Sequence, residues 1–327
     1  MPPNLLQLPH APMITPGGHA WAAAATHVAS HDKISMFQAV VLGVLQGLSE
    51  LFPVSSLGHT VLFPTLFGWH SLVQAQSEPH SFWLAFVVML HVGSAVGLLI
   101  FFWRDWVSII RAWCHTLVTR RIETPVERLA WLIVVATIPA GLVAIVLERP
   151  LRDALAKPVS AAFFLILNGF ILLGAERLRR RADVRGLAVR QGAKQDGGRK
   201  LETLDYKEAA VIGLAQSSAL IAGISRDGVC MTAGLVRGLD HEDSARFAFF
   251  LATPVILAAG LFELTEFLGP EGNGVRAEAL VAALCAAVVS VVTVRFLVGY
   301  FKTRTLTPFG LYCLAFGAAM AVYTTVH

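Results

Sequence analysis

The sequence predicts an all-α polytopic membrane protein of two inverted-topology repeats, each a re-entrant helical hairpin plus three transmembrane helices. Three observations predict it. The 327 residues are 55% hydrophobic and only 15% charged, whereas a soluble globular chain carries about 25% charged residues. Six apolar segments, at 82–103, 129–147, 159–175, 247–265, 279–299 and 306–325, are long enough, or nearly so, to cross a bilayer. An internal match recurs at an offset of 170 residues.

Taken in order, residues 1–35 are rich in Pro, His and Ala, with no Lys or Arg before Lys33. A secretory signal has a basic start and a longer apolar core, so this stretch reads as a loosely ordered extension. Residues 36–327 read as a single membrane domain. Repeat one covers about 36–175, a cytoplasmic basic loop 176–205, and repeat two about 206–327. The apolar stretches 36–52 and 207–224 end in polar, Gly-bearing sequence and are too broken for ordinary spans. Four cysteines (Cys114, Cys230, Cys285, Cys313) show no paired or metal-ligand spacing and read as small hydrophobes.

Orientation follows from the loops. Basic residues cluster at 120–128 together with the arginines upstream of it, at 176–200 and at 302–304, which places these three loops in the cytoplasm. The loop at 267–275, "FLGPEGNGV", has no basic residue and fits the outside. The segment 148–157 must then also be outside, although it holds Arg149, Arg152 and Lys157. Parity requires everything between 206 and 246 to enter and leave on the cytoplasmic side. A re-entrant hairpin does that, with non-helical backbone protected by surrounding protein or a wet cavity.

The repeat supports this. Ala39, Val41, Gly43, Gln46, Ser55 and Gly58 fall on Ala209, Val211, Gly213, Gln216, Ser225 and Gly228. Each copy precedes three spans, an odd number, so the second is inverted in the membrane. The first hairpin then enters from outside and the second from the cytoplasm, as in other broken-helix architectures.

The hairpins carry the polar chemistry. In "GVLQGLSELFPVSSLGH" (43–59), Gln46 and Glu50 share a helix face, Pro53 breaks the helix, and Ser55, Ser56 and His59 follow at the turn. In "QSSALIAGISRDGVCMT" (216–232), Gly223 and Gly228 bracket Ser225, Arg226 and Asp227. Helix starts offer unpaired N–H groups that bind phosphate. Arg226 adds a planar fork for phosphate oxygens. Glu50 suits a divalent cation that neutralises a diphosphate. Ser56 suits a nucleophile, with His59 as its base or as the acid for the leaving group. Each residue also has a plainer role. The serines read equally as caps, Glu50 and Arg226 as a structural ion pair between repeats, and His59 and His91 as packing histidines, His91 the more so. Gln46 and Gln216 share repeat positions, which suits a scaffold as well as chemistry.

These two segments resemble the signature motifs of the integral-membrane undecaprenyl-diphosphatase family, linked to bacitracin resistance. The first motif matches fully through Gln46, Glu50, Pro53, Val54, Ser55, Ser56, Gly58 and His59. The second departs in three places: Ala222 stands where the family has proline, Asp227 where it has serine, and Cys230 where it has threonine. The resemblance runs from about residue 36 to the C-terminus and includes "AGLVRGLDHEDSARFAFFLATPVILAAG".

The resemblance implies hydrolysis of undecaprenyl diphosphate to undecaprenyl phosphate and phosphate in the bacterial plasma membrane, recycling a cell-wall carrier lipid. It implies a Mg²⁺ or Ca²⁺ cofactor and a site opening outward. The expected catalytic residues are Glu50, Ser56, His59 and Arg226. Those expected at the substrate are Ser55, Gly58, Gln216, Gly223, Ser225, Asp227 and Gly228. Glu50, Gln46 and Asp227 are the candidate metal ligands, Asp227 offsetting Gln46 where many members have glutamate. The partners are a polyprenyl diphosphate lipid and the bilayer, with no nucleic acid; a homodimer is compatible. A polyprenyl-phosphate flippase or transporter is the competing reading, because inverted repeats with broken helices serve it equally. An acid-phosphatase-type lipid phosphatase fits poorly, since the first His after Arg226 is His241.

Overall fold

The computed structural model describes residues 33–78, 81–155, 157–184 and 198–326. Most of the N-terminal extension and residues 185–197 of the basic loop lie outside the described residues. Within them the chain is helical: α1 (Met36–Ser49), α2 (Ser56–Leu66), α3 (His70–Ser77), α4 (Phe82–Phe101), α5 (Trp103–Thr119), α6 (Pro125–Leu155), α7 (Pro158–Val184), α8 (Tyr206–Gln216), α9 (Arg226–Val236), α10 (His241–Leu268), α11 (Arg276–Tyr300) and α12 (Thr307–Val326). Six of these, α4, α6, α7, α10, α11 and α12, are long and apolar enough to span a membrane, and they are the six segments read from the sequence.

The matched segments start alike. Ser35 caps α1 and closes a capping box with Gln38. Asp205 caps α8 and closes one with Glu208. The cap oxygen and the side-chain acceptor at the third helical position satisfy two orphan N–H groups at each start. These boxes extend the 170-residue match beyond the positions first noted. Each helix then stops: α1 at Glu50, and α8 in a 3₁₀ turn over Ser217–Leu220. After each break a new helix begins under a serine cap, Ser55 or Ser225.

Packing is exchanged between the halves. Helix α1 lies on α11, α8 lies on α6, and α7 and α12 pair with each other. Repeat-equivalent glycines allow the first two contacts. A Cβ on Gly43 would meet the Ala282 carbonyl, and one on Gly213 the Ala136 carbonyl. Small residues let membrane helices approach backbone to backbone.

The chain ends of the two broken units meet at different places. Before α8 and after α9 the backbone closes on itself, with Arg199 N–H donating to Gly238 O at 2.7 Å and Asp240 N–H to Arg199 O at 3.2 Å. That end is tied by charge: Arg199 to Glu208, Lys200 to Asp240 and Glu176 to His241. Before α1 and at the start of α4, Lys33 sits over the Phe82 ring and donates to Asn273 O at 3.1 Å, in the loop that lacks basic residues.

Two expectations change. The basic segment after α4, read as a loop, is the amphipathic helix α5. Its Trp106 ring meets Phe250 at 5.9 Å and its Trp113 ring meets Trp131 at 6.4 Å, while Val118 and Trp103 stay exposed. Arginines dominated that reading and hid the apolar stripe between them. The segment 148–157, read as lying outside between two spans, is mostly the C-terminal part of α6, which runs to Leu155.

Candidate active site

The two breaks touch. Ser55 adopts φ 70°, a strained value for a residue with a side chain. Its Oγ accepts from Gly58 N–H at 3.2 Å within its own turn and from Gly223 N–H at 3.1 Å in the other. Gly223 has φ 103°, and a Cβ on Gly58 would come within 3.0 Å of its Cα. Ser225 Oγ likewise accepts from Gly228 N–H at 3.0 Å. Asn168, fully buried on α7, bridges both breaks. Its Nδ2 donates to Pro53 O at 3.0 Å, and its Oδ1 accepts from Ser225 N–H at 3.0 Å. Nothing in the sequence pattern singled out Asn168; a lone amide in an apolar span was the available signal.

Glu50 sits at the centre, 5% exposed. Its Oε2 accepts from Ser56 Oγ, and from Gln46 Nε2 at 2.8 Å. Its Oε1 accepts from Arg226 Nη2 in an ion pair that joins the two breaks. His91 Nε2 lies 3.4 Å from Oε2, and its Nδ1 is 2.8 Å from Val87 O. A cavity of about 150 Å³ is lined by Glu50, Ser56, His91, Gln216, Ser217 and Arg226. Several polar atoms around it are buried without a partner: Gln216 Oε1 and Nε2, Ser217 Oγ, Arg226 Nε and Gln46 Oε1. Native structures rarely leave buried polar groups unpaired, so such groups call for a polar partner, water or ligand.

The structure thus brings together Glu50, Ser56, Arg226, Gln216 and Gln46. Ser55, Gly58, Gly223, Ser225 and Gly228 build the two turns and their contact, with Ser55 and Ser225 also at the cavity wall. His59 is placed elsewhere. Its Nδ1 is 2.7 Å from Ser55 O and its Nε2 is 2.7 Å from Tyr312 Oη, with the ring stacked on Phe316. Both ring nitrogens are engaged away from Ser56, so this arrangement does not make His59 its base. Asp227 is also apart from the cavity. It is fully buried, neither carboxylate oxygen has a hydrogen-bond partner, and Oδ1 lies 3.9 Å from Arg226 Nε. Sequence reasoning undervalued His91 and missed Ser217. His91 lies on a span without any motif around it.

Among the described residues no group of three or more His, Cys, Asp or Glu is placed to hold a metal. The nearby oxygen donors are one carboxylate, Glu50, and the orphaned Oε1 of Gln46, whose Nε2 donates to that carboxylate. Such a sparse oxygen set suits a cation shared with substrate phosphates, not an all-protein cage.

Comparison with known proteins places these motifs. The family model described as bacitracin resistance protein BacA matches residues 39–319. An undecaprenyl-diphosphatase 2 of Frankia alni is 48% identical, covering 89% of this chain and 98% of the relative. An undecaprenyl-diphosphatase of Mycolicibacterium paratuberculosis is 49% identical, covering 90% and 99%. An undecaprenyl-diphosphatase 2 of Chromobacterium violaceum is 40% identical, covering 90% and 100%.

Proposed function

The chain belongs to the BacA family, and from that premise we propose how its two breaks hydrolyse a lipid diphosphate. The protein is a multi-pass bacterial membrane enzyme that converts undecaprenyl diphosphate to undecaprenyl phosphate and inorganic phosphate. The relatives give the flippase alternative no support.

One observation carries the mechanism: the Glu50 carboxylate accepts the Ser56 hydroxyl while it is ion-paired to Arg226 from the other break. Ser56 Oγ attacks the terminal phosphorus and its proton passes to Glu50. The bond from that phosphorus to the bridging oxygen breaks, and undecaprenyl phosphate leaves. Glu50 passes the serine proton on to that leaving oxygen and is ionised again. Water then hydrolyses the phosphoserine, Glu50 taking the water proton and returning it to the Ser56 oxygen as its bond to phosphorus breaks. Arg226 turns from Glu50 toward the phosphate oxygens, and Gln216 and Ser217 donate to them. His91 carries the proton given to the leaving oxygen or holds Glu50 in place. Water attacking directly, with Ser56 as a positioning group, is the variant that the test below separates. A divalent cation, when bound by Glu50 and Gln46 Oε1 together with the diphosphate, supplies charge neutralisation.

The site opens outward in this reading. Its support is the location of chain ends: residues 206–240 start and finish at the basic end, and α1 starts beside the loop that lacks basic residues. The exchanged packing supports two inverted copies.

The test is phosphate release from undecaprenyl diphosphate by purified Ser56→Ala and Glu50→Gln variants, with a search for phosphoserine in trapped wild-type enzyme. Loss of release in both variants and phosphate on Ser56 are expected. Near-normal release by Ser56→Ala removes the serine as nucleophile.

A further inference from the structure

A second cavity lies between α5, α6 and α10, with a volume of about 520 Å³, within the usual ligand-pocket range of about 300–1,000 Å³. Its wall is Trp106, Ile109, Trp113, Ile138, Gly141, Pro254 and similar apolar residues. Thr137 and the two indoles carry the only polar side-chain atoms there, and the Thr137 hydroxyl donates to Ile133 O at 2.8 Å. The groove is open laterally: Ile138, Leu142 and Ile145 on its lip are each more than half exposed.

This groove and the polar cavity are both lined from α6 and α10. On α6, Ala140 and Ala144 line the polar cavity, while their neighbours Gly141 and Ile145 line the groove. On α10, Val255 lines the first and Pro254 the second. On α6, Ala140, Gly141 and Ala144 are small, and a Cβ built on Gly141 meets nothing within 4 Å. A small polar pocket and a larger apolar groove therefore share one helix seam. A substrate with a diphosphate head and a long prenyl chain has that same division of chemistry.

We propose that the groove between α5, α6 and α10 binds the prenyl chain of the lipid diphosphate whose phosphates occupy the Glu50–Arg226 cavity. The proposal rests on the hydrolase reading. A bulk acyl chain would also fill an apolar groove, but its occupancy would not depend on the polar site. Chain burial here strengthens binding of long-chain substrate without altering chemistry at phosphorus. The enzyme then selects chain length through α5, an element outside both motifs.

The test uses full-length protein and two substrates, undecaprenyl diphosphate and the short farnesyl diphosphate. Gly141→Trp projects into open space and fills the groove. Its KM for the undecaprenyl substrate should rise about tenfold, or about 1.4 kcal/mol, while kcat and both constants for the farnesyl substrate stay near wild type. Leu142→Trp, at the exposed lip, should repeat the selectivity more weakly. Affinity for undecaprenyl monophosphate, measured without turnover, should fall with KM. Equal KM changes for both chain lengths, or none for either, overturn the proposal and leave an adventitious lipid groove. Absence of phosphate release from both substrates in the wild type would instead overturn the hydrolase reading. Monophosphate binding would then still decide the groove.

Discussion

The two breaks are built alike and loaded differently. Both stop a helix after a capping box. Both place a serine before the next helix and bond its hydroxyl to the N–H three residues on, at Gly58 or Gly228. At the first position of that helix, however, one break has Ser56 and the other Arg226. Glu50 in the first unit corresponds to Leu220 in the second, and His59 to Val229. The backbone device is duplicated while the chemistry is divided. Neither unit alone carries the hydroxyl of Ser56, the carboxylate of Glu50 and the guanidinium of Arg226. The Glu50–Arg226 pair is therefore where two scaffolds become one site, and it lives in tertiary packing that neither segment encodes by itself.

The sharpest way to break the comparison is to remove what only the first unit carries. Ser56→Ala and Glu50→Gln should each lower kcat by about 10³-fold or more, the range of a lost nucleophile or general base. The second unit should then prove necessary in a graded way. Arg226→Ala should lose most activity. Arg226→Lys should recover about tenfold of it, since the charge stays and the planar fork is lost. Equal and mild effects of the two Arg226 variants would sink the clamp and leave a structural ion pair. His59→Gln is the contrast. If His59 only ties Ser55 O to Tyr312, its loss should cost far less kcat than Glu50→Gln.

The spans were legible because each is a continuous apolar run, and the breaks because proline, glycine and serine interrupt such runs. Helix α5 was not legible as a helix, because its arginines at 104 and 111, with those at 120 and 121 just beyond its end, made it look like part of a loop. Among site residues, Glu50, Ser56 and Arg226 stood out through local spacing. The acceptor of the Ser56 hydroxyl did not. Sequence proximity pointed to His59, three residues on, but the turn strained at Ser55 sends that ring toward Tyr312 and brings Glu50 back across the break. Asn168 and His91 reach the site from distant helices, so no local pattern could identify them.

Asn168 tests the contact between the units. Asn168→Ala strips a donor from Pro53 O and an acceptor from Ser225 N–H, both buried. Leaving buried groups unpaired costs about 1–3 kcal/mol each. Thermal stability should fall, and kcat should fall with it because both turns loosen. A stable Asn168→Ala enzyme with full kcat would show that the breaks hold their geometry independently. Asp227 should behave in the opposite sense. Its carboxylate is buried with neither oxygen hydrogen-bonded and only a 3.9 Å ion-pair contact to Arg226 Nε, so Asp227→Ser should raise stability by about 1–2 kcal/mol. Because Asp227 does not line the cavity, kcat should stay within about threefold. A large loss of activity would restore the substrate or metal role that the sequence suggested.

The smallest expected effect lies where the second unit closes at the basic end. Arg199 donates to Glu208 at 2.8 and 3.0 Å, and that hydrogen bond, ahead of burial, holds the Glu208 carboxyl below its ordinary range. A lowered folded-state pKa adds stability that is present above the unfolded carboxylate value and lost as pH falls through the folded one. The wild type should therefore lose a little more stability on acidification than Arg199→Ala does. With both side chains partly solvated, the gap should be about 1 kcal/mol or less at neutral pH. The first unit has Gln38 in the equivalent box, a neutral partner that cannot titrate. Gln38→Ala should thus shift thermal stability by a pH-independent amount. The two capping boxes, identical in geometry, should separate in acid, and identical pH profiles for the Arg199 and Gln38 variants would show that the closing ion pair contributes nothing beyond the cap.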